Sequence, residues 1–328
     1  MTAQETIKRF EQNWKLSEND SLPTLRLPAL KVQEPLVTVI IPTHNYGHLI
    51  SETIDSVLSQ TCQDLEIIVV DDGSIDDTEQ VVRSYPNVKY VYQEHRGNKT
   101  PARAINTGLK MAEGHYIICL GADDMLNSTY IEKCLRIMSK DPKTGIVFTG
   151  AKEFGASNKN RVPRQLHHRF SVFREPHGQI GAMMARREVY FGPQQFDGNY
   201  SEFLENLSIP DGIGGYDENL HSLEDWDFFI RAGLTGWKIR SISQALHYAR
   251  VHVGRVTEHA EVSELWRKYP MMRGYALLSR VFDAAVLCVR HPRVFCSRFA
   301  LKLRFRRNFV GLTESCPDAS PFVFTKKT

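Results

Sequence analysis

Apolar runs closed within two residues by paired aspartates constrain this chain more than any other feature. Leu65-Glu66-Ile67-Ile68-Val69-Val70 runs into Asp71-Asp72-Gly73-Ser74, and Tyr116-Ile117-Ile118-Cys119-Leu120 runs into Gly121-Ala122-Asp123-Asp124. Short apolar runs closed by turn residues read as buried strands. A third run, Leu36-Val37-Thr38-Val39-Ile40-Ile41, is expected to stop at Pro42, because proline cannot donate to a central ladder.

Helical spacing fills the gaps. Ile54, Val57 and Leu58 share one face of a segment from Ser51 to Thr61. Asp76 to Ser84, Pro101 to Ala112 (with Pro101 near its first turn) and Thr129 to Ser139 read as further helices, while Val88 to Tyr92 and Gly145 to Phe148 read as strands. This alternation predicts an α/β fold, Rossmann-like, with a mostly parallel sheet and helices on both faces. Such sheets bind ligands at the carboxyl ends of their strands. Three polar clusters fall there: Pro42 to Tyr46, Asp71 to Ser74 and Gly121 to Asp124.

The second half is less regular. Ala151 to Glu175 reads as a polar, basic loop with an edge strand, Gly181 to Arg186 is small and apolar, and Gln194 to Asp211 reads as an inserted loop. The glycine-rich stretch Gly212-Ile213-Gly214-Gly215-Tyr216-Asp217-Glu218 precedes a helix from Glu224 to Ala232, and Trp237-Lys238-Ile239 opens another strand. Residues 260–308 read as largely helical.

Composition removes several function classes. A net charge of +3 over 328 residues gives no global case for nucleic-acid binding. Six cysteines form no C-x-x-C pair and no zinc spacing, so free thiols in a reducing compartment are expected. Residues 1–20 lack the apolar core of a signal peptide, and no stretch of 18 uncharged apolar residues occurs. The expected location is the cytoplasm.

The aspartate pairs suggest chemistry. Carboxylates at the ends of neighbouring strands repel one another unless a cation or hydrogen-bond donors lie among them. A divalent cation, Mn²⁺ or Mg²⁺, would resolve the repulsion and also accept diphosphate oxygens. The plainer reading is a turn at Asp71-Asp72-Gly73-Ser74 and a helix cap at Asp123-Asp124. Glu224-Asp225-Trp226-Asp227 opens a helix. A carboxylate there suits proton removal from an attacking hydroxyl, or simply complements the helix dipole.

Four ordered motifs bear on these alternatives. Val37 to Val82 contains Val-Thr-Val-Ile-Ile-Pro-Thr-His-Asn-Tyr, Ser-Val-Leu-Ser-Gln-Thr and Glu-Ile-Ile-Val-Val-Asp-Asp-Gly-Ser. Ile105-Asn106-Thr107-Gly108-Leu109 leads through Glu113-Gly114-His115-Tyr116 to Ala122-Asp123-Asp124, and Gly214-Gly215-Tyr216-Asp217-Glu218 and Leu223-Glu224-Asp225-Trp226-Asp227-Phe228 follow. Over roughly residues 36–255 this resembles family 2 glycosyltransferases.

The resemblance implies a GT-A fold in residues 35–256, with a nucleotide-sugar half (35–150) and an acceptor half (151–256). An N-terminal extension (1–34) and a C-terminal helical, basic region (257–328) flank it. It implies an inverting transfer from a nucleotide-diphosphate sugar, commonly UDP-linked, to a glycan or lipid-linked hydroxyl. Pro42, Thr43, His44 and Asn45 would line the nucleoside pocket. Asp72 would bind the base, Asp123 the ribose and Asp124 the metal. Asp225 would be the general base, with Glu224 beside it, and Trp226 would pack.

The chain also departs from the family pattern. Gly121 replaces the first acid of D-x-D-D, and Ile105 stands where an arginine is usual, so Arg103 or Lys99 is expected to serve the diphosphate. Tyr248-Ala249-Arg250-Val251-His252 resembles a segment whose histidine reaches the metal, which nominates His252 with one residue of extra spacing. His167, His168 and His177 fit solvation better than coordination.

From Arg290 to Arg307, seven basic residues interleave with Val294, Phe295, Phe299, Leu301, Leu303 and Phe305. This pattern fits peripheral contact with the inner face of the plasma membrane as well as it fits a helix packed on the domain. Two rival functions remain. A sugar nucleotidyltransferase would carry a basic glycine-rich loop where Thr43-His44-Asn45-Tyr46-Gly47 stands, and a catalytically weak nucleotide-sugar-binding relative would have lost Asp124 or Asp225.

Overall fold

The computed structural model describes residues 36–97, 100–163, 182–192, 212–252, 265 and 267–269. All belong to the first of the chain's two units, Met1–Leu277. The expected N-terminal extension, Lys99, His167, His168, His177, the inserted loop from Gln194 and the basic stretch Arg290 to Arg307 lie outside the described residues.

The first half alternates as expected: β1 (Val37–Thr43), α1 (Gly47–Leu58), β2 (Leu65–Asp71), α2 (Thr78–Arg83), β3 (Val88–Tyr92), α3 (Ala102–Met111) and β4 (Tyr116–Leu120). The second half comprises β5 (Met125–Leu126), α4 (Tyr130–Met138), β6 (Thr144–Gly155), β7 (Asn160–Arg161), β8 (Ala182–Arg186), α5 (Arg187–Phe191), α6 (Glu224–Thr235) and β9 (Lys238–Val251). Among the described residues the strands form one sheet in the order β3-β2-β1-β4-β8-β6-β9-β5, with β7 paired to β6.

The parallel character belongs to one half. β3, β2, β1 and β4 all run parallel, so their carboxyl ends meet along one edge. Beyond β4 the sheet is mixed: β8 is antiparallel to β4 and β6, while β9 runs parallel to β6.

Alternating side chains give the sheet two apolar faces. Ile40, Ile68, Val70, Ile117 and Phe148 share a core with Ile105 and Leu109 of α3 and with Trp226, Phe228 and Phe229 of α6. Val39, Ile41, Val69, Ile118 and Val147 pack with Ile54 and Val57 of α1 and with Ile131 and Cys134 of α4. α3 and α6, far apart in sequence, therefore stabilise the same face.

Three boundaries differ from expectation. Pro42 does not end β1; it pairs with Val70, and Thr43 follows opposite Asp71. The Thr43 carbonyl accepts from the Asp72 amide, so the polar backbone of Thr43 faces β2 and that of Pro42 faces β4. Pairing with β4 has already ended at Ile40 opposite Cys119, so the proline removes no ladder bond. α1 begins at Gly47 rather than Ser51. The Gly47 amide donates to Asp76 Oδ2 (3.0 Å), and a Cβ there would stand 2.0 Å from Asp77 Oδ1. Ala151 to Gly155 is strand, not loop, because β9 pairs with it as far as Gly155 opposite Val251. Its polar appearance comes from buried Glu153, which accepts from Ser157 and Arg161.

Candidate active site

The carboxyl ends of the parallel strands carry two side-chain clusters, and the first turn of α6 carries a third. The first centres on buried Asp72, just beyond β2. Its Oδ1 accepts from Gln93 Nε2 (2.5 Å) and Arg103 Nη1 (3.2 Å), and its Oδ2 accepts from His95 Nδ1 (2.6 Å). Arg103 also donates to the Glu94 carbonyl (2.7 Å). The Arg103 cation and two further donors thus supply what the acid needs to remain buried.

His44 ties the loop after β1 to Asp72. His44 Nδ1 donates to the Asp72 carbonyl (2.7 Å), which leaves Nε2 to accept from Asn45 Nδ2 (3.1 Å). The His44 and His95 rings stack with centroids 4.5 Å apart. Asn45 occupies the left-handed region (φ 60°), where a short polar side chain can bond locally. It receives the Ile75 amide on Oδ1 and gives its own amide to Ser74 Oγ. Thr43 is buried, and its hydroxyl has no protein partner among the described residues.

The second cluster lies beyond β4. Asp124 is buried, with Oδ2 accepting from His247 Nε2 (2.9 Å) and Oδ1 accepting from the Arg250 amide (2.9 Å). Both its oxygens are therefore committed to β9. Asp123 is more open, and its Oδ2 accepts from His252 Nε2 (3.0 Å). A Cβ on Gly121 would stand 3.1 Å from Asp123 Oδ1, so the family's missing acid would have adjoined Asp123. Tyr46 meets the His252 ring edge-on at 6.0 Å, which joins the second cluster to the loop after β1.

The third cluster is the first turn of α6. Leu223 enters it in the left-handed region (φ 61°), and Asp225 Oδ1 accepts from the Trp226 amide (2.6 Å). Burial raises the Glu224 carboxyl above the ordinary range, and the charge of Asp225 raises it further. Burial also raises Asp225, by less, against the lowering effect of the Trp226 amide. Among the described residues no cation pairs with either acid. α6 reaches the strand ends through Tyr216, whose ring stacks on Phe228 at 4.9 Å and whose hydroxyl lies 3.7 Å from Cys119 Sγ of β4.

The structure places Thr43, His44, Asn45 and Arg103 around Asp72 with Pro42 beside them in β1, and brings His252 to Asp123, next to Asp124. It pairs His252 with Asp123 rather than Asp124. Sequence reasoning missed Gln93, His95 and the bond from His247 to Asp124. Gln93-Glu94-His95 lies just past the carboxyl end of β3, and the strand-end rule applied to that strand would have found it.

A parallel half with acidic loops at its strand ends, continued by a mixed half, is the architecture of GT-A glycosyltransferases. The structure of Staphylococcus aureus TarS residues 1–349 in complex with UDP-GlcNAc superposes with a TM-score of 0.55 at 21% identity, covering 73% of this chain and 66% of that one. The model described as glycosyl transferase family 2 matches residues 38–192, so this region is similar to that family, and the chain is a glycosyltransferase enzyme.

Among relatives, glycosyltransferase RP339 of Rickettsia prowazekii is 29% identical over 255 residues, covering 72% of this chain and 71% of that protein. Chondroitin synthase of Escherichia coli is 35% identical over 119 residues, which is 35% of this chain and only 17% of the synthase. No helix among the described residues is long and apolar enough to cross a membrane.

Proposed function

We propose that this chain transfers a sugar from a nucleoside-diphosphate donor, UDP-linked, to an acceptor hydroxyl with inversion, in the building of a surface polysaccharide or glycolipid. One observation carries the reading: Asp72 with its donors and Asp123 with His252 occupy a single edge of the sheet, linked by Tyr46. The base and ribose would lie over the His44–Asp72–His95 group, and Arg103 stands beside it for the diphosphate. The UDP-GlcNAc seen in the TarS complex supports the choice of nucleotide.

Asp123 and His252 fit a divalent cation better than Asp124 does. Their facing atoms are 3.0 Å apart, and adjacent octahedral ligands about 2.1 Å from a metal are separated by about that distance. Among the described residues no three acids, histidines or cysteines form a closed metal site. The remaining positions would go to diphosphate and water, as is usual for such ions. When bound, the cation would neutralise charge on the departing diphosphate. Asp124, turned inward to His247 and Arg250, would hold the loop.

Asp225 would take the acceptor proton. Its raised carboxyl sits closer to neutral pH than an ordinary aspartate, which suits a general base. Glu224, raised further, would hold its proton beside it.

The test is a panel of UDP- and GDP-sugars, read by thermal shift and by nucleotide release, with and without Mn²⁺. Stabilisation and release by one UDP-sugar, increased by Mn²⁺, supports the reading. Pyrophosphate release from a nucleoside triphosphate would instead indicate a nucleotidyltransferase.

A further inference from the structure

We infer that Asn106 is a positioning residue that couples the donor half to the catalytic turn of α6. The inference rests on Asp225 being the base. Asn106 sits on α3, and its amide engages both backbone groups of one residue in the glycine-rich stretch. Oδ1 accepts from the Tyr216 amide (2.7 Å), while Nδ2 donates to the Tyr216 carbonyl (2.8 Å) and to Glu218 Oε1 (2.8 Å). Each polar group of the side chain is used, and the orientation of the amide is fixed by its partners.

Tyr216 is the wedge between the two halves. Its buried ring stacks on Phe228, about one helical turn beyond Glu224 and Asp225, with 8° between the planes. Its hydroxyl meets Cys119 one residue before β4 ends. Fixing the Tyr216 backbone therefore fixes where the first turn of α6 stands against the strand ends.

The same face of α3 grips the nucleotide cluster. Arg103 reaches Asp72, and Thr107 Oγ1 donates to Gln93 Oε1 (2.7 Å), whose amide in turn holds Asp72. Asn106 and Thr107 each lie about one turn beyond Arg103, so α3 carries polar side chains from Asp72 to Tyr216.

Two observations show that the fit is close. A Cβ on Gly215 would stand 2.2 Å from Asn106 Oδ1, so no larger residue can accompany the clamp. Asp217, the residue after Tyr216, is held by Lys268 Nζ (2.5 Å), which also reaches buried Asp227 Oδ1 of α6 (2.8 Å). The loop is thus pinned to α3 by Asn106 and to α6 by Lys268.

The test uses the full chain with Asn106→Ala, Asn106→Asp and Gly215→Ala. UDP affinity in Mn²⁺ is measured by calorimetry. The kcat and KM of UDP release are measured with the UDP-sugar that the panel identifies. Backbone exchange across 213–230 is followed by hydrogen–deuterium mass spectrometry.

Asn106→Ala should lower kcat about 30-fold or more, as displacement of a reacting group does, while UDP affinity and KM change less than about threefold. Exchange across 213–230 should quicken while β1 to β4 stay protected. Asn106→Asp keeps the volume but points an acceptor at the Tyr216 carbonyl and Glu218, so it should be at least as slow. Gly215→Ala should be harmful alone and add little to Asn106→Ala, since the overlap is then gone.

Unchanged kcat and exchange in Asn106→Ala, equal loss of UDP affinity, or a fully active Asn106→Asp would overturn the inference. If no UDP-sugar is turned over, unaltered exchange in Asn106→Ala overturns it alone. Full activity in Asp225→Asn would remove the base assignment, an outcome separable from the exchange result.

Discussion

The aspartates at the strand ends and the acids of α6 solve the burial of negative charge in opposite ways. Asp72 takes three side-chain donors, two of them from Arg103 and His95, and Asp124 takes His247 and a backbone amide. Glu224 and Asp225 sit side by side with no cation among the described residues, and burial raises both carboxyls. The first arrangement holds charge in a fixed place. The second makes charge costly, so a proton is easily taken up. The proposed division, nucleotide binding at the strand ends and proton transfer at α6, matches this electrostatic contrast.

The largest expected effect concerns Asp225. Asp225→Asn should slow nucleotide release by about 10²–10⁴-fold, the usual contribution of a general base. UDP affinity, measured by calorimetry in Mn²⁺, should stay close to that of the parent chain. If UDP affinity fell along with the rate, the division between a holding end and a reacting end would be lost.

Asp123→Asn and His252→Ala test the holding end. Each should weaken activation by Mn²⁺ by about 10–100-fold, the range seen when metal-site groups are altered. Titrating Mn²⁺ against nucleotide release gives the number. Asp124→Asn should instead lower thermal stability, since both its oxygens serve the protein. A larger loss of Mn²⁺ activation in Asp124→Asn than in Asp123→Asn would return the metal to Asp124.

How much of this was legible in the sequence depends on the kind of signal. The parallel half was readable because its strands are unbroken apolar runs whose polar ends announce themselves: Val69-Val70 before Asp71-Asp72, and Leu120 before Gly121. The mixed half was not. β6 extends through Ala151 to Gly155, where Glu153 is buried with its own partners, and a buried acid looks like a loop residue until those partners are known. His95 was invisible for a related reason. It acts through Asp72 and His44, which precede it by 23 and 51 residues, and no periodicity records such a contact. The pairing of His252 with Asp123 rather than Asp124 follows from the register of β9 beside β5, which spacing alone does not encode.

A smaller effect is expected at His95. His95→Ala removes one of three side-chain donors to Asp72 and the ring stacked on His44. Arg103 and Gln93 remain, so UDP affinity should fall only about fivefold, the worth of one net hydrogen bond near 1 kcal/mol. A loss as large as that from Asp72→Ala would mean that His95 meets the nucleotide itself. No loss would mean that the stack serves the loop alone.

Glu224→Gln gives the smallest change in rate and the sharpest test of the contrast. Glu224 has its folded pKa raised above the unfolded value by burial and by Asp225. The stability it contributes is then fully present below the ordinary carboxylate range and is lost as pH rises through the raised value. Glutamine keeps the neutral shape at every pH. The variant should therefore melt with the parent chain near pH 4 and several degrees above it at alkaline pH, as scanning calorimetry across that range would show. If Asp225 is the base and Glu224 its protonated neighbour, nucleotide release at neutral pH should survive in Glu224→Gln. Its acid limb should still lie above the ordinary carboxylate range, because burial raises Asp225 independently. Loss of activity in Glu224→Gln with survival in Asp225→Asn would exchange the two roles, because the acid that must ionise would then be the one that burial opposes more strongly.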